Sequence, residues 1–300
     1  MIELDRLTKV YGDRVAVDDL TVTVEPGRVT GFLGPNGSGK TTTMRCVLGL
    51  TRPTAGTATV LGVPYAQLHH PMRRVGALID PRARHPGRTA HDHLRALAQS
   101  NGLPRDRVDE VVGLVGLDAV AHERLRGFSL GMAQRLGIAV ALLGDPDVLL
   151  FDEPVNGLDP DGIRWVRHLL RDLAAEGRTV LVSSHLMSEM QDTADHLVVL
   201  GRGRLLADVP MAELLGSGAA VRVRTPQPRL LAAALQRAGG RVAAEPDGAL
   251  TVRGLAADRI GDVAFATGLP VHELARLTTS LEAAYYALTG DDVEYRAGER

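Results

Sequence analysis

Val29-Thr30-Gly31-Phe32-Leu33 runs straight into Gly34-Pro35-Asn36-Gly37-Ser38-Gly39-Lys40-Thr41, and this junction decides how the rest of the chain is read. The first five residues have the apolar, β-branched character of a buried strand. The next eight fit G-x-x-x-x-G-K-[ST], and the pattern sits where its chemistry requires, after a strand and before a helix. Glycines let the backbone turn so that successive N–H groups converge on one point, and the helix that follows adds its positive end. Such a loop, Gly34 to Thr41, is built to cradle phosphate oxygens. Lys40 is placed to reach the β- and γ-phosphates, the Thr41 hydroxyl to ligate Mg2+, and Thr42 to make a further phosphate contact. Lys9 and Lys40 are the only lysines in the chain, which makes the position of Lys40 the more telling.

About a hundred residues on, Asp147-Val148-Leu149-Leu150-Phe151-Asp152-Glu153-Pro154 gives a second apolar strand that ends in two adjacent carboxylates. By itself this reads as a solvated loop after a strand. Paired with the phosphate loop it is a Walker B arrangement, in which Asp152 holds Mg2+ through its water shell and Glu153 orients or deprotonates the attacking water.

Outward from these two segments the chain alternates short strands (Val29 to Leu33, Val148 to Phe151, Thr179 to Val182, Leu197 to Leu200) with amphipathic helices. Val108, Val111, Val112 and Val115 keep helical spacing after Pro104, as do Ile163, Val166, Leu170 and Leu173 after Pro160. The pattern predicts an α/β domain with a largely parallel, covered sheet over residues 1–215. At Gly216-Ser217-Gly218 the character changes, and a second domain is expected over residues 216–300. There the order is strand (Val221 to Arg224), helix (Arg229 to Ala238), two strands around Asp247-Gly248, helix (Ala257 to Ala266), strand (Val271 to Leu277) and helix (Ser280 to Leu288). This is a small α+β, ferredoxin-like βαββαβ unit with an added helix.

Composition bounds the function. With 45% apolar residues, 300 residues suffice for a sizeable aliphatic core, and a formal charge of −2 leaves no basic footprint for nucleic acid. One cysteine, Cys46, excludes an intramolecular disulfide and suits a reducing compartment. The charged N-terminus lacks the apolar run of a signal peptide, and no stretch approaches the ~20 apolar residues of a spanning helix. A cytoplasmic protein is expected, with any membrane role borrowed from a partner.

Further segments make the chain resemble the nucleotide-binding subunits of ABC transporters over residues 2 to 215. Phe128-Ser129-Leu130-Gly131-Met132-Ala133-Gln134-Arg135 resembles the family's signature motif LSGGQxQR, from which Leu130 and Met132 depart. The resemblance implies that Ser129 and the Gly131 backbone bind the γ-phosphate of the opposite subunit's ATP. Asn156-Gly157-Leu158-Asp159 resembles the D-loop of the dimer interface, His185 the switch histidine that contacts the γ-phosphate, and Tyr11 the aromatic residue that stacks on adenine, with Val17 flanking the base. Asp80, in Val75 to Pro81, stands where the family has a glutamine that ligates Mg2+, and with the signature form it resembles the subgroup serving bacterial antibiotic-resistance exporters. The implied whole is a mixed-sheet ATPase core plus a helical signature subdomain. It would dimerise with itself or a close relative around two ATP·Mg2+ and drive a separate membrane-spanning permease, whose coupling helix docks near Arg82 to Arg88, from the inner face of the membrane. The alternative is a non-transport ABC-type ATPase of DNA repair or translation. Against it, fewer than ninety residues separate Thr41 from Phe128, with no sustained heptads for a coiled coil.

Overall fold

The computed structural model describes residues 1–216 and 220–277, with Leu281, Glu282 and Tyr285. The chain forms two compact units, Met1–Pro210 and Met211–Leu288. The division therefore falls where the last strand of the first unit ends, a few residues before the expected one, because Met211–Gly216 is helical and clusters with the second unit. Ser217-Gly218 and most of the helix expected over Ser280 to Leu288 lie outside the described residues.

The first unit comprises β1 (Ile2–Tyr11), β2 (Arg14–Val24), β3 (Val29–Leu33), α1 (Lys40–Val47), β4 (Ala55–Val60), β5 (Val75–Leu78), α2 (Ala90–Ser100), α3 (Asp106–Leu114), α4 (Leu130–Leu142), β6 (Val148–Asp152), α5 (Pro160–Ala175), β7 (Thr179–Ser184), α6 (Met187–Thr193), β8 (His196–Gly201) and β9 (Arg204–Pro210). Six strands form one sheet in the order β5-β6-β7-β3-β8-β9, parallel except for β9. Every residue of β3, β6, β7 and β8 is buried, as continuous apolar strands covered on both faces must be. A separate antiparallel sheet, β2-β1-β4, lies over α1, and Met44, Cys46 and Val47 of that helix share one core with Leu4, Leu7 and Val22 on one side and Val148, Leu150 and Val198 on the other.

The carboxyl ends of β3, β6 and β7 lie side by side in register, with Leu33 opposite Ser184 and Asp152 opposite Ser183. The phosphate loop, the two carboxylates and the histidine segment, far apart in sequence, thus leave the sheet at one edge. Helices α2, α3 and α4 form the helical part. α4 approaches β5 so closely that a Cβ on Gly76 would lie 1.9 Å from the Ala141 carbonyl oxygen. Ser129 caps α4 by accepting the Met132 N–H at 3.2 Å, and Asp159 caps α5 by accepting the Gly162 N–H at 2.9 Å.

In the second unit α7 (Met211–Gly216) precedes β10 (Ala220–Arg224), α8 (Pro228–Arg237), β11 (Arg241–Ala244), β12 (Leu250–Arg253), α9 (Ala257–Ala266) and β13 (Glu273–Leu277). The sheet order is β11-β12-β10-β13, antiparallel throughout, which is the expected βαββαβ arrangement. Val221, Val223, Leu250 and Val252 pack there against Leu231, Leu235 and Ile260.

Candidate functional site: a phosphate cleft with a glutamate–histidine pair

Between β3 and α1 the loop wraps a cleft of about 480 Å³, lined by Tyr11, Arg14, Ala16, Asn36, Gly37, Ser38, Gly39, Lys40, Thr41, Thr42 and Glu153. Two glycines have no substitute. Gly39 begins α1 at φ 103° and ψ −4°, and a Cβ on it would lie 2.6 Å from the Ala16 carbonyl oxygen. On Gly34 the same atom would meet the Leu200 carbonyl oxygen at 2.4 Å. The loop's backbone is thus held where only hydrogen fits, and the Ser38 hydroxyl is buried in it with no protein partner. A loop held by close backbone approach, an unpaired buried hydroxyl and a helix N-terminus together fit phosphate oxygens.

Lys40 curls back into this loop, donating from Nζ to the Gly34 carbonyl at 2.6 Å and the Pro35 carbonyl at 3.1 Å. Burial lowers the ammonium's pKa, while the charges of Glu153 and Asp152 oppose that shift. Arg14 adds a second cation at the cleft, its guanidinium 3.2 Å from where a Cβ of Gly37 would be. The sequence reading passed over it; the signal was its place across the tight turn from Tyr11, with which it pairs.

Asp152 is pinned by two hydroxyls: Thr41 Oγ1 donates to Oδ2 at 2.5 Å, and Ser183 Oγ donates to Oδ1. Thr41 and Asp152, the expected Mg2+ ligands, therefore stand together. Glu153 occupies an unusual position for a non-glycine residue, φ 51°. Its N–H donates to the Ser183 carbonyl and hydroxyl oxygens, at 3.3 and 3.0 Å, and its Oε2 lies 2.8 Å from His185 Nδ1. Two residues selected for water activation and γ-phosphate sensing thus form a direct pair, with the carboxylate 21% and the imidazole 39% exposed.

Two expected residues are not brought into the cleft. Val17 is 1% exposed in the core under α1, and Ala16 takes the cleft face instead, because neighbouring strand residues point to opposite sides. Asp80 is exposed; its Oδ1 accepts the Arg82 N–H at 2.8 Å, and it lines a separate groove of about 640 Å³ with Arg84, His93 and residues of α1 and α4. The carboxylate there caps its own turn and is no part of the Thr41–Asp152 pair. Tyr11 stands at the cleft mouth, half-exposed, with Lys9 Nζ 4.7 Å from its ring centre. Ser129 and Gly131 line no part of this chain's own cleft; a Cβ on Gly131 would sit 3.0 Å from the Gly157 carbonyl oxygen, so the signature segment rests on the D-loop segment.

No helix among the described residues is long and apolar enough to cross a membrane. Residues 17–156 match the family model described as ABC transporter, and residues 219–282 match a domain of unknown function, DUF8746. The bacitracin transport ATP-binding protein BcrA of Bacillus licheniformis is 41% identical over 217 residues, covering 71% of each chain. The lantibiotic transport ATP-binding protein SrtF of Streptococcus pyogenes is 32% identical over 208 residues, 69% of this chain and 90% of that one. Among solved structures, an ATP-binding subunit of an ABC transporter superposes with a TM-score of 0.66 at 26% identity, over 72% of this chain and 92% of that one. A dimeric ATP-binding cassette in a post-hydrolysis state, bound to ADP and Pi, shares the fold with a TM-score of 0.63 at 24% identity, over 70% of this chain and 99% of that one. Phosphate loop, paired carboxylates, histidine and relatives agree: the chain belongs to the ATP-binding subunits of ABC transporters, and it is an ATPase.

Proposed function

We propose that two copies of this chain, or one copy and a close relative, close around two ATP molecules and drive a separate membrane-spanning permease that works as an exporter. The observation that carries this reading is the separation of the two halves of the site. Lys40, Thr41, Asp152, Glu153 and His185 converge on one cleft, whereas Ser129 and Gly131 present a helix N-terminus elsewhere, with Leu130 beside them 47% exposed. An anion site of that kind, exposed and outside its own cleft, suits the ATP held by a second chain.

Mg2+ fits the Thr41–Asp152 pair, where oxygen donors from two elements already meet, and when bound it supplies charge neutralisation at the phosphates. The chain's residues do the rest. Lys40 and Arg14 offset the triphosphate charge, and Tyr11 offers a face to the base. Glu153 accepts the proton of the attacking water as that oxygen bonds to the γ-phosphorus and the electron pair leaves with ADP. His185, held against Glu153 Oε2, fixes the direction of the carboxylate. Positioning and charge neutralisation of this sort supply most of what phosphoryl transfer needs. The transport names of the relatives above support a transporter, and the name of a further one, a Nod factor export ATP-binding protein 37% identical over 222 residues, supports an exporter. The lack of a spanning helix among the described residues supports attachment through the permease at the inner membrane face, and the unit Met211–Leu288 serves as an accessory domain.

The test mixes Lys40→Ala chains with Ser129→Arg chains. Each alone should be inactive, and the mixture should regain partial hydrolysis by assembling one intact composite site. Confirmed mixed dimers that stay inactive, while either chain mixed with the parent is active, would sink the cross-subunit arrangement.

A further inference from the structure

Gln134 is 1% exposed in the middle of α4, and its Nε2 donates to the backbone carbonyl of Glu153 at 2.7 Å. A carbonyl can only accept, so the amide nitrogen must face it. The amide oxygen on the other side is buried with no protein partner. An orphaned acceptor costs about 1–3 kcal/mol, so a residue that merely filled this space would be better as an aliphatic side chain. The polar head is retained for the bond it makes.

Glu153 needs that bond. Its φ of 51° lies in the left-handed region, which is unfavourable for a residue with a Cβ by roughly 1–2 kcal/mol. In the local turn Asn156 donates its N–H to the Glu153 carbonyl at 3.3 Å and its Nδ2 to Oε2 at 3.5 Å. Besides that turn, three anchors from other parts of the fold hold it there: β7 through the Ser183 oxygens on its N–H, His185 on its carboxylate, and α4 through Gln134 on its carbonyl. Only the third comes from the helical part of the molecule. The same helix begins at Ser129 and Gly131, and its first turn lies on Gly157, four residues beyond Glu153.

We infer that Gln134 is a positioning residue for Glu153, tying the aim of the carboxylate in one ATP site to the helix whose N-terminus serves the other. The inference rests on the two-site reading above. Movement of α4 when its N-terminus takes up the partner's γ-phosphate is passed through the Gln134 amide to the Glu153 carbonyl. Each chain thereby senses occupancy of both sites.

Gln134→Met keeps the length and volume but removes the donor, and Gln134→His restores a ring N–H the same number of bonds from Cα. In the full-length chain Gln134→Met should lower kcat for ATP ten- to a hundredfold, with KM and the melting temperature little changed, and Gln134→His should recover at least threefold over Met. The arrangement across the dimer is read in the Lys40→Ala plus Ser129→Arg mixture, whose live site uses Glu153 of the Ser129→Arg chain. Gln134→Met should depress activity at least fivefold more when placed in that chain than in the Lys40→Ala chain. Equal losses in the two placements, or Met hydrolysing within twofold of the parent, would overturn the inference. If the mixture with unaltered Gln134 is itself inactive, the two-site reading has failed instead, and the positioning role stands or falls on kcat and on rescue by His. Should Met fail to fold, the comparison of His with the parent in the same two placements decides it.

Discussion

Gly39→Ala puts a methyl group where the phosphate loop has no room for one. At φ 103° an alanine is strained by roughly 1–2 kcal/mol, before any contact is considered. The added carbon would also lie 2.6 Å from the carbonyl oxygen of Ala16, a backbone atom in a strand paired to β1, and 3.4 Å from Val17 Cγ2. Overpacking against atoms that cannot swing aside costs typically about 1–3 kcal/mol. The sum is roughly 2–5 kcal/mol, which appears in one of two places. If the loop keeps its shape, the first unit melts lower, by roughly 4–20 °C at 2–4 °C per kcal/mol. If the loop relaxes, the N–H groups no longer converge and ATP binding weakens at least about thirtyfold, at 1.4 kcal/mol per tenfold. Gly37 provides the control: its φ is 82°, but a Cβ there meets only the mobile end of Arg14, so Gly37→Ala carries the strain without the backbone collision. Titration with a non-hydrolysable ATP analogue, alongside thermal melting, measures both outcomes. Gly39→Ala with Kd within threefold and melting within about a degree of the parent would refute the claim that this loop is held rigid by close approach.

Glu153→Gln should retain ATP binding while hydrolysis falls by about 10²–10⁴, the usual worth of a positioned base; turnover near the parental rate would remove Glu153 from that role. Asp80→Ala removes a carboxylate that caps its own turn outside the cleft, so ATP affinity should stay within about twofold and hydrolysis within about threefold; a loss beyond about tenfold would place Asp80 at the reacting phosphates after all. Burial, with the nearby Glu153, raises the pKa of Glu189 against the pull of Arg167 and His185. The folded chain therefore holds that proton more tightly than the unfolded one, and stability is lost as pH rises from the unfolded value through the raised folded value. Denaturation of Glu189→Gln and parent across that window should show a difference moving in favour of the variant with rising pH, and a flat difference refutes it. Cys46 is 4% exposed, and burial raises its thiol pKa despite Lys9, so a disulfide reagent should modify it at least about a hundredfold more slowly in the folded chain than in denaturant.

Much of the fold and half of the site were legible because they are written in local chemistry. The phosphate loop needs a strand, glycines and a helix start in immediate succession, and all three stand between Val29 and Lys40. Ser129 and Asp159 cap their helices by contacts that are just as local, since each needs only an N–H three residues on. The βαββαβ order of the second unit followed from alternation and turn residues alone. What the sequence could not determine depends on atoms brought together from a distance. Whether Ala16 or Val17 faces the cleft turns on strand parity, and β1 and β2 shift register between Leu7 and Val10, so counting along the chain loses the phase. The direct Glu153–His185 pair comes from the alignment of β6 with β7, which sets Asp152 opposite Ser183. Asp80 follows β5, which pairs with β6, yet whether its oxygen turns to a metal or to the Arg82 N–H was a matter of side-chain torsion that only packing decides. Gln134 matched a position of the signature motif, but as a polar residue on an apolar helix face it gave no sign of its partner. Its meaning arises where α4 crosses the end of β6 and brings a buried amide to the carbonyl of a strained glutamate, a contact between residues nineteen apart that no local rule contains.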